Sequence, residues 1–345
     1  MFRRTNAPRA YRTHAGRITE GRNGHTTTSI ILGAPVAPLP KVYNFMRGAR
    51  CLRSSSSWAF LRPPSREKQV LLGAVAYDPA VSAIWERMRV YMLEVGVNFD
   101  FALFTNYEQQ VGALLDGTID IAWNGPVAHV LASRLAGSTS VVALGMRDVD
   151  RDFASLCVAR RDANCDNVRG LEGLVVATGA SDSPQSHIVP LQWLSDIGVH
   201  PAEILPFDLD LGKHGDTARG EVEALNAVMC GRADAALVSE MMWQRAMSNA
   251  LPSIDGAALD ANVAVIPGEG PPPFDNCQFD ALATLPTWKT DAFTKALFAM
   301  DMANPEHAEA MELEMIEERW MPPREQGYAL LERALEKRLA SPGFK

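Results

Sequence analysis

Residues 117–126 read Gly-Thr-Ile-Asp-Ile-Ala-Trp-Asn-Gly-Pro, and residues 231–240 read Gly-Arg-Ala-Asp-Ala-Ala-Leu-Val-Ser-Glu. In both stretches a glycine follows a helical pattern, and an aspartate precedes a short apolar run. Glycine commonly ends a helix, and a continuous apolar run is typical of a strand buried on both faces of a parallel sheet. Each stretch then leads into another helical pattern. The two stretches therefore predict two copies of one helix–strand–helix unit.

The sequence before the first copy also alternates between strands and helices. Val70–Val75 and Val97–Phe104 are apolar runs that predict strands. Asp78, which a proline follows, predicts a helix start, and Thr105 with Glu108 has the spacing of a capping box. Alternating strands and helices predict an α/β fold with parallel-rich sheets flanked by helices. Two copies of the unit predict two lobes rather than one large sheet.

A glycine- and proline-rich segment suggests where the lobes are joined. Residues 268–273 read Gly-Glu-Gly-Pro-Pro-Pro, which suits neither a helix nor a strand, so we expect a crossover between lobes there. We place lobe 1 in residues 68–148 and 268–345 and lobe 2 in residues 149–267. Three C-terminal helices are predicted to pack on lobe 1, near residues 287–303, 305–318 and 324–339.

Residues 1–67 differ from the rest of the chain in composition. They carry 12 of the 33 Lys and Arg residues and two acids, which gives them a net charge of +10, while the remainder has −18 and the whole chain −8. They are rich in Arg and Ser and lack apolar periodicity, so we expect a basic, disordered leader. A transit peptide or a misassigned start codon is the alternative, because the continuous apolar run of a secretory signal is missing. The sequence alone leaves the cellular location open.

Charge and cysteine content exclude several classes of function. The acidic body predicts no nucleic-acid partner, since phosphate contacts need clustered Lys and Arg. No stretch approaches the 18 consecutive apolar residues of a membrane span. The five Cys residues lack CxxC spacing, so neither a disulfide framework nor a metal cluster is expected.

Polar loops that follow strands are the candidate ligand sites, because open α/β sheets bind ligands at the carboxyl ends of their strands. Residues 179–187, Gly-Ala-Ser-Asp-Ser-Pro-Gln-Ser-His, follow one predicted strand. Ser183 is a good helix cap, which leaves the amides of Gln185 and Ser186 free to bind an anion. The hydroxyl of Ser181 is a further donor. An ordinary capped helix is the alternative interpretation.

Further candidates lie in other loops of the same kind. His214 is a possible anion donor, and Asp216 a possible cap of the helix that follows. Tyr77 and Tyr107 each stand beside a helix start in lobe 1, and Asn124 follows the strand of the first copy. Micromolar binding needs about 8 kcal/mol, and one charge-assisted hydrogen bond supplies roughly 1.5–3 kcal/mol. Donors from both lobes are therefore needed, which favours a cleft that closes on its ligand.

The order of these motifs resembles the phosphonate/phosphate-type substrate-binding proteins of ABC importers, over residues 69–340. The resemblance implies the type II periplasmic-binding fold, with two α/β lobes, two hinge crossings and a ligand in the cleft. It also implies capture of a small oxyanion for import, an ABC permease as partner, a periplasmic location, no cofactor and no catalysis. We further expect a monomer. The resemblance to this family is carried by Tyr77-Asp78-Pro79, Tyr107-Glu108, residues 117–126, residues 182–185 and His214-Gly215-Asp216.

The resemblance also suggests roles for individual residues. It places the family's serine-rich phosphonate loop on residues 183–185, its phosphonate-binding histidine on His214, and its cleft aromatics on Tyr77 and Tyr107. This chain has Pro and Gln where the family commonly has two hydroxyl residues, so fewer donors remain for a phosphonate.

Acidic residues bind the ligand amine in family members that take aminoalkyl phosphonates. Glu240 and Asp275 are the candidate counterparts here. A carboxylate in the cleft repels a simple anion, so a zwitterionic phosphonate is expected if Glu240 lines it.

Two alternative functions are compatible with the sequence. Related two-lobed folds include intracellular enzymes of pyrimidine-precursor synthesis, and Cys277, His214 and Asp216 could act as nucleophile, base and orienting acid. The other alternative is a stand-alone ligand sensor. Neither is supported by a local motif.

Overall fold

The computed structural model describes residues 68–137, 140–324 and 326–340 of the chain, which form eleven strands and ten α-helices. The predicted leader, residues 1–67, lies outside the described residues. The strands are β1 (Val70–Val75), β2 (Phe99–Phe104), β3 (Ile121–Asn124), β4 (Val141–Arg147), β5 (Ser155–Arg160), β6 (Val175–Thr178), β7 (Glu203–Pro206), β8 (Ala235–Ser239), β9 (Val263–Val265), β10 (Gln278–Leu282) and β11 (Trp320–Met321). The helices are α1 (Val81–Glu94), α2 (Tyr107–Leu115), α3 (Pro126–Ala136), α4 (Val189–Asp196), α5 (Arg219–Met229), α6 (Glu240–Met247), α7 (Gly256–Asn262), α8 (Thr287–Phe298), α9 (Pro305–Leu313) and α10 (Ala329–Ala340).

The strands form two sheets, which confirms the two-lobed α/β fold. The first sheet has the order β11-β4-β10-β3-β1-β2, and the second has the order β7-β6-β8-β5-β9. We refer to the first sheet with its helices as lobe 1 and to the second as lobe 2. The residue boundaries assigned to the lobes from the sequence stay a proposal.

Each sheet combines parallel and antiparallel pairs. β1 is parallel to β2 and β3, and β6 is parallel to β7 and β8, as the sequence predicts. In contrast, β10 is antiparallel to β3 and β4, and β5 is antiparallel to β8 and β9. β5 and β10 each follow a crossing between the lobes. Each of them therefore enters its sheet at the end where the parallel strands finish, and runs antiparallel to those strands.

The two sequence copies fold alike in detail. Gly117 and Gly231 both have positive φ angles, +74° and +75°, a conformation that glycine adopts without the Cβ strain of other residues. The Asp120 carboxylate accepts a hydrogen bond from the amide of Leu71 at 2.9 Å, and Asp234 accepts one from Val175 at 3.0 Å. The repeated aspartate therefore ties its own strand to the start of the neighbouring parallel strand in both lobes.

Separate apolar cores cover the faces of the two sheets. In lobe 1, Trp85 of α1 packs edge-on against Trp123 of β3 and Phe279 of β10, with ring centroids 6.4 and 6.1 Å apart. Small side chains dominate lobe 2, where β8 is entirely buried between two clusters. Among the described residues, none of the helices is both long and apolar enough to span a bilayer.

Two helices begin later than the sequence predicts. The prediction that Asp78 caps α1 is wrong, since the cap position is Ala80, whose amide donates to the Asp78 carboxylate at 2.7 Å. Asn106, not Thr105, caps α2, because its side-chain oxygen accepts from the amide of Gln109. The residues chosen from sequence still form hydrogen bonds at these helix starts: Asp78 accepts from the Ala80 amide, and the Thr105 hydroxyl donates to the Gln109 side chain.

Two chain crossings connect the lobes, one between β4 and β5 and the other between β9 and β10. They pair with each other through an antiparallel bridge in which Phe153 and Phe274 exchange backbone hydrogen bonds of 2.7 and 3.0 Å. The C-terminal helix α10 packs beside them. Its Leu331 joins one cluster with Val127 of α3 and Val189 of α4, so α10 contacts both lobes rather than lobe 1 alone.

Candidate functional site

A cavity of about 590 Å³ lies in the cleft between the lobes, where the strands end. Lobe 1 and the crossing segments contribute the turn before α1, three aromatic residues from α2, β3 and a crossing segment, and the residues just before β10. Lobe 2 contributes residues around the starts of α5 and α6. The wall includes Tyr77, Asp78, Pro79, Ala80, Val81, Ile84, Tyr107, Trp123, Arg147, Phe153, Gln185, Asp216, Arg219, Glu221, Met241, Arg245, Asn276, Cys277, Leu313 and Met315.

The two lobes contact each other directly beside this cavity. The Tyr107 hydroxyl of lobe 1 donates a 2.5 Å hydrogen bond to the Asp216 carboxylate of lobe 2. The Tyr107 ring stacks on His214, with centroids 4.7 Å apart, and His214 Nε2 lies 3.4 Å from Glu108 Oε1. We call these four residues the interlobe latch. They join the two lobes beside the cavity.

The loop that carries His214 and Asp216 fits closely against lobe 1. The carbonyl of Gly212 accepts a hydrogen bond from the Tyr107 amide at 3.0 Å. Gly212 has φ +83°, and a Cβ built on it would stand 2.9 Å from the Asn106 Cβ. Lys213 Nζ donates to the carbonyl of Ala76 at 2.5 Å. Glycine is therefore required at position 212 for both conformation and space.

His214 lies in the contact between the lobes rather than in the cavity wall. Its side chain is buried under Tyr107, with 2% of its surface exposed. His214 is not among the described residues that line the cavity. Its Nδ1 atom has no hydrogen-bond partner in the described part of the chain. The structure therefore gives His214 a role in contact between the lobes.

Asp216 is a carboxylate in the cavity wall whose ionisation is perturbed. Burial raises its pKa from the ordinary value of 3.8 to about 6, against the opposing effect of the Tyr107 hydrogen bond. Burial and the Asp216 charge also hold the pKa of Tyr107 well above its usual range, so the phenol stays a hydrogen-bond donor. Asp216 is therefore ionised at neutral pH and protonated in mild acid.

Glu221 is a second acid in the wall, and the sequence analysis did not select it. It lies in the first turn of α5, 2% exposed, and burial raises its pKa. Its carboxylate accepts hydrogen bonds from the Ser239 amide at 2.6 Å, the Ser239 hydroxyl at 2.8 Å and Gln185 Nε2 at 3.1 Å. These partners fix the carboxylate in place at the cavity.

Most of the predicted serine loop does not face the cavity. Ser183 caps the helical turn Pro184–Ile188 as predicted, but its hydroxyl accepts from the hydroxyl of Ser186 at 2.8 Å and both side chains are fully buried. The amide of Ser181 donates to Asp208. Of these described loop residues, only Gln185 lines the cavity. At this part of the cavity the lining side chains are therefore Gln185 and its partner Glu221, while the hydroxyls of Ser183 and Ser186 bond to each other.

Three other candidates lie away from the cavity wall as far as the described residues define it. Glu240 is exposed and accepts a hydrogen bond from Gln244 on its own helix. Asn124 is buried and donates to Asp280 at 2.8 Å. Asp275 is buried and pairs with Arg324, which also contacts Asp152. The last two stabilise lobe 1 and its crossings.

Arg147 brings a buried positive charge to the cavity, but that charge is already paired. Its guanidinium donates to both oxygens of Asp150 at 2.6 and 2.7 Å and lies 3.5 Å from Glu314, whose pKa is raised by burial to about 7. It also stands 5.3 Å from the centre of the Trp123 ring. Next to it, burial and the Asp150 charge hold the pKa of the Cys277 thiol well above its ordinary value.

The family of the chain follows from a comparison with known families. Residues 75–325 match the family described as ABC transporter, phosphonate, periplasmic substrate-binding protein. The chain belongs to this family. Its members are periplasmic transport proteins, and the role of this chain is to bind a solute for ABC import. A comparison with curated protein sequences found no match.

Solved structures of similar fold support the architecture of this phosphonate-transporter binding protein. PhnD1 from Prochlorococcus marinus in complex with methylphosphonate has a TM-score of 0.59 at 17% identity, covering 80% of this chain and 100% of that one. An ATP-bound protein from Xanthomonas citri has a TM-score of 0.61 at 14% identity, covering 78% and 98%. A binding protein component of an ABC phosphonate transporter from Pseudomonas aeruginosa has 0.54 at 16%, covering 79% and 86%. At these identities the likeness concerns the fold.

Two helix starts open on the cavity of this binding protein. α1 begins at Val81 and α5 at Arg219, and in the described structure neither cap residue, Ala80 or Ala218, has a side chain that caps its helix. At the α1 start, the amides of Ala80 and Val81 donate to the carboxylate and the carbonyl of Asp78 at 2.7 and 3.1 Å. A helix start attracts anions, because it is the positive end of the helix dipole. α1 has no acid in its first turn, whereas α5 has Glu221. Between these two starts, α1 is the more favourable place for an anion, because the Asp78 carboxylate before it is exposed to solvent and Glu221 is buried.

Arginine residues on lobe 2 complete the charge pattern of the cavity. Arg219 pairs with Asp210 at 3.0 Å. Arg245 of α6 is exposed and makes no ion pair with any residue in the described ranges. The sequence analysis missed Arg245 and Glu221 alike. Their position in the first or second turn of a helix that follows a strand is the signal by which they could have been found.

Proposed function

We propose that this chain binds a zwitterionic phosphonate, with an anionic head and an amine, in the cavity between its lobes and delivers it to an ABC permease. The observation that carries the proposal is the separation of charge around the cavity. Asp216 and Glu221 supply buried carboxylates on lobe 2, while Arg245 and the positive end of the α1 dipole supply positive potential. The Asp78 carboxylate before α1 also lines the cavity, but it is exposed and accepts the hydrogen bond of the Ala80 amide. A ligand with both charges satisfies this pattern, and a simple anion leaves the carboxylates opposed to it.

The amine end is assigned to the two acids of lobe 2. Glu221 is held by three hydrogen bonds and cannot turn away from the cavity without breaking them. Asp216 is held by Tyr107 across the cleft. Charge-assisted hydrogen bonds to an ammonium group contribute roughly 1.5–3 kcal/mol each. Glu221 thereby takes the role that the sequence analysis gave to Glu240.

The phosphonate end is assigned to the α1 start and to Arg245. These groups belong to different lobes, so a ligand that contacts both favours the closed cleft over an open one. A ligand shifts such an equilibrium only by its differential affinity for the two states. Tyr77 and Gln185 line the same cavity and are the predicted residues that we retain as ligand contacts, together with Tyr107 and Asp216.

We infer that the protein binds its ligand without converting it, acts as a monomer and works in the periplasm. The thiol of Cys277 has a raised pKa, which keeps it protonated and poorly nucleophilic. His214, its supposed base, stacks on Tyr107 and faces Glu108 instead. Family membership supports the transport role, and with it the permease partner and the location.

The test compares two isosteric variants of acidic residues. Glu221→Gln keeps the shape and the bond to Gln185 possible but removes the charge, and Glu240→Gln does the same on the exposed surface. Titration calorimetry with 2-aminoethylphosphonate should show affinity lowered about tenfold or more in Glu221→Gln and unchanged in Glu240→Gln. Methylphosphonate should lose no affinity in either variant. Equal losses for both ligands, or no loss in Glu221→Gln, would contradict the assignment.

A further inference from the structure

The cavity is large for a ligand that consists only of a phosphonate and a short amine. Its volume is about 590 Å³ although the interlobe latch already joins the two sides of the cleft. The cleft cannot narrow much further on that side without displacing the contacts of Gly212 and Tyr107. Cavities of about 300–1,000 Å³ commonly bury ligands of drug size. The remaining space therefore calls for an additional ligand group.

One part of the cavity wall is apolar. It contains Ile84 of α1 together with Leu313 and Met315 at the end of α9, and we call these three residues the apolar wall. Leu313 and Met315 are 40% and 49% exposed, although both are large apolar side chains. Exposed apolar surface costs roughly 25 cal/mol per Å² compared with buried surface. A ligand that covers this wall therefore gains affinity.

Contacts between α1 and α9 bring the apolar wall together. Arg87 of α1 forms a 2.6 Å ion pair with Glu309 of α9, and Tyr91 packs edge-on against His307 at 4.9 Å. The chain positions increase along α1 as they decrease along α9, so the helices run antiparallel. The first turn of α1, with Ile84, thus lies at the end of α9. The apolar wall is consequently next to the α1 start, where we assign the phosphonate.

The turn after α9 is fixed so that its apolar side chains meet the cavity. Glu314, between Leu313 and Met315, is 3% exposed, and both its carbonyl and its carboxylate approach the guanidinium of Arg147. Met315 has φ +57°, an uncommon angle for a residue with a side chain. With Glu314 turned inward to Arg147, its two neighbours are presented to the cavity.

We infer that the ligand carries a bulky apolar group which packs on the apolar wall, beside its phosphonate. This inference rests on the proposed function and narrows it. The substrate class is then an aminophosphonate with an aromatic or branched aliphatic substituent. Met241 of lobe 2 lines the same cavity and offers a flexible apolar surface of the kind that adapts to such groups.

The experiment compares two aminophosphonates that differ by a benzyl group. Calorimetry on the full chain should show that 1-amino-2-phenylethylphosphonate binds at least about tenfold more tightly than aminomethylphosphonate, because its ring covers the wall. Leu313→Ala should lower the affinity for the phenyl compound at least about fivefold more than the affinity for aminomethylphosphonate. Leu135→Ala, at a residue that is 70% exposed on α3, is the control and should change neither affinity.

The outcomes separate this inference from the proposed function. Equal affinity of the two compounds, or an equal loss of affinity for both in Leu313→Ala, would overturn the inference that the ligand carries an apolar group. The proposed binding of aminophosphonates would then still stand. Failure of both compounds to bind would overturn the proposed function together with this inference.

Discussion

In the proposed function, the carboxylates of Asp216 and Glu221 select the solutes that the cavity accepts. Both are buried and have raised pKa values, so each is costly to keep ionised unless a positive charge is nearby. A bound ammonium group supplies that charge. The selectivity of the site therefore depends on ionisation as well as on shape.

The pH dependence of binding follows from Asp216. Since its pKa is about 6, it is ionised at pH 7 and protonated at pH 5, where it no longer attracts an ammonium group. The preference for 2-aminoethylphosphonate over methylphosphonate should fall about fivefold or more between pH 7 and pH 5. Calorimetry with both ligands at each pH measures this, and the same titrations in Asp216→Asn correct for titration of the phosphonate groups, which ionise at different pH in the two ligands. In Asp216→Asn the part of this pH dependence that comes from the carboxylate should disappear. If the preference depends on pH equally in Asp216→Asn and in the unaltered chain, Asp216 is excluded as the cause.

The sequence does not show in which direction a side chain points, so it could not predict which polar residues face the cavity. His214, Glu221 and Glu240 are all polar residues near helix starts, and Arg245 lies one turn further along its helix, so the sequence pattern alone does not show which of them face the cavity. His214 is turned into the contact with Tyr107, while Glu240 projects to solvent. Such choices depend on the facing lobe, which comes from a distant part of the chain.

Among the elements, the repeated glycine–aspartate unit is the part of the fold that the sequence predicted best. Glycine with positive φ and an aspartate that accepts from a neighbouring strand are local features, and both copies have them. β4, β7, β10 and β11 were not predicted. β10 reads Gln-Phe-Asp-Ala-Leu, and its Gln278 and Asp280 are buried in a polar network with His129, which breaks the apolar pattern.

The two aspartates of the repeat should differ in their effect on stability. Asp234→Ala leaves the Val175 amide without its acceptor, which should lower the free energy of unfolding by about 1–3 kcal/mol. Asp120→Ala also removes the 2.7 Å partner of Lys289, a lysine that is 6% exposed, and should cost roughly 3–5 kcal/mol. Urea unfolding of both variants tests this. An Asp120→Ala variant as stable as Asp234→Ala would show that the Lys289 pair contributes little.

Across the whole molecule, the interlobe latch links ligand binding to the arrangement of the lobes. It connects α2 of lobe 1 to the loop before α5 of lobe 2, beside the cavity. The latch uses Asp216, which is also assigned to the ligand. Binding and closure therefore share one residue, and a change in the latch should alter affinity even where no ligand contact is lost.

A substitution at Gly212 tests this link. Gly212→Ala places a Cβ 2.9 Å from the Asn106 Cβ at a φ of +83°, so the loop must move away from lobe 1. We expect small-angle scattering to show a larger radius of gyration without ligand, and calorimetry to show weaker binding by about fivefold or more. Gly117→Ala is the matched control, since Gly117 has φ +74° and no atom within 4 Å of its Cβ position. If both variants behave alike, backbone strain rather than the interlobe contact explains the effect.

The central claim is that the cavity between the lobes separates the two charges of an aminophosphonate, and a crystal structure of the complex with 2-aminoethylphosphonate tests it most directly. The account predicts the ammonium group within hydrogen-bond distance of the Asp216 and Glu221 carboxylates, and the phosphonate at the start of α1 near Arg245. A phosphonate bound against Glu221, or a ligand bound outside this cavity, would contradict it.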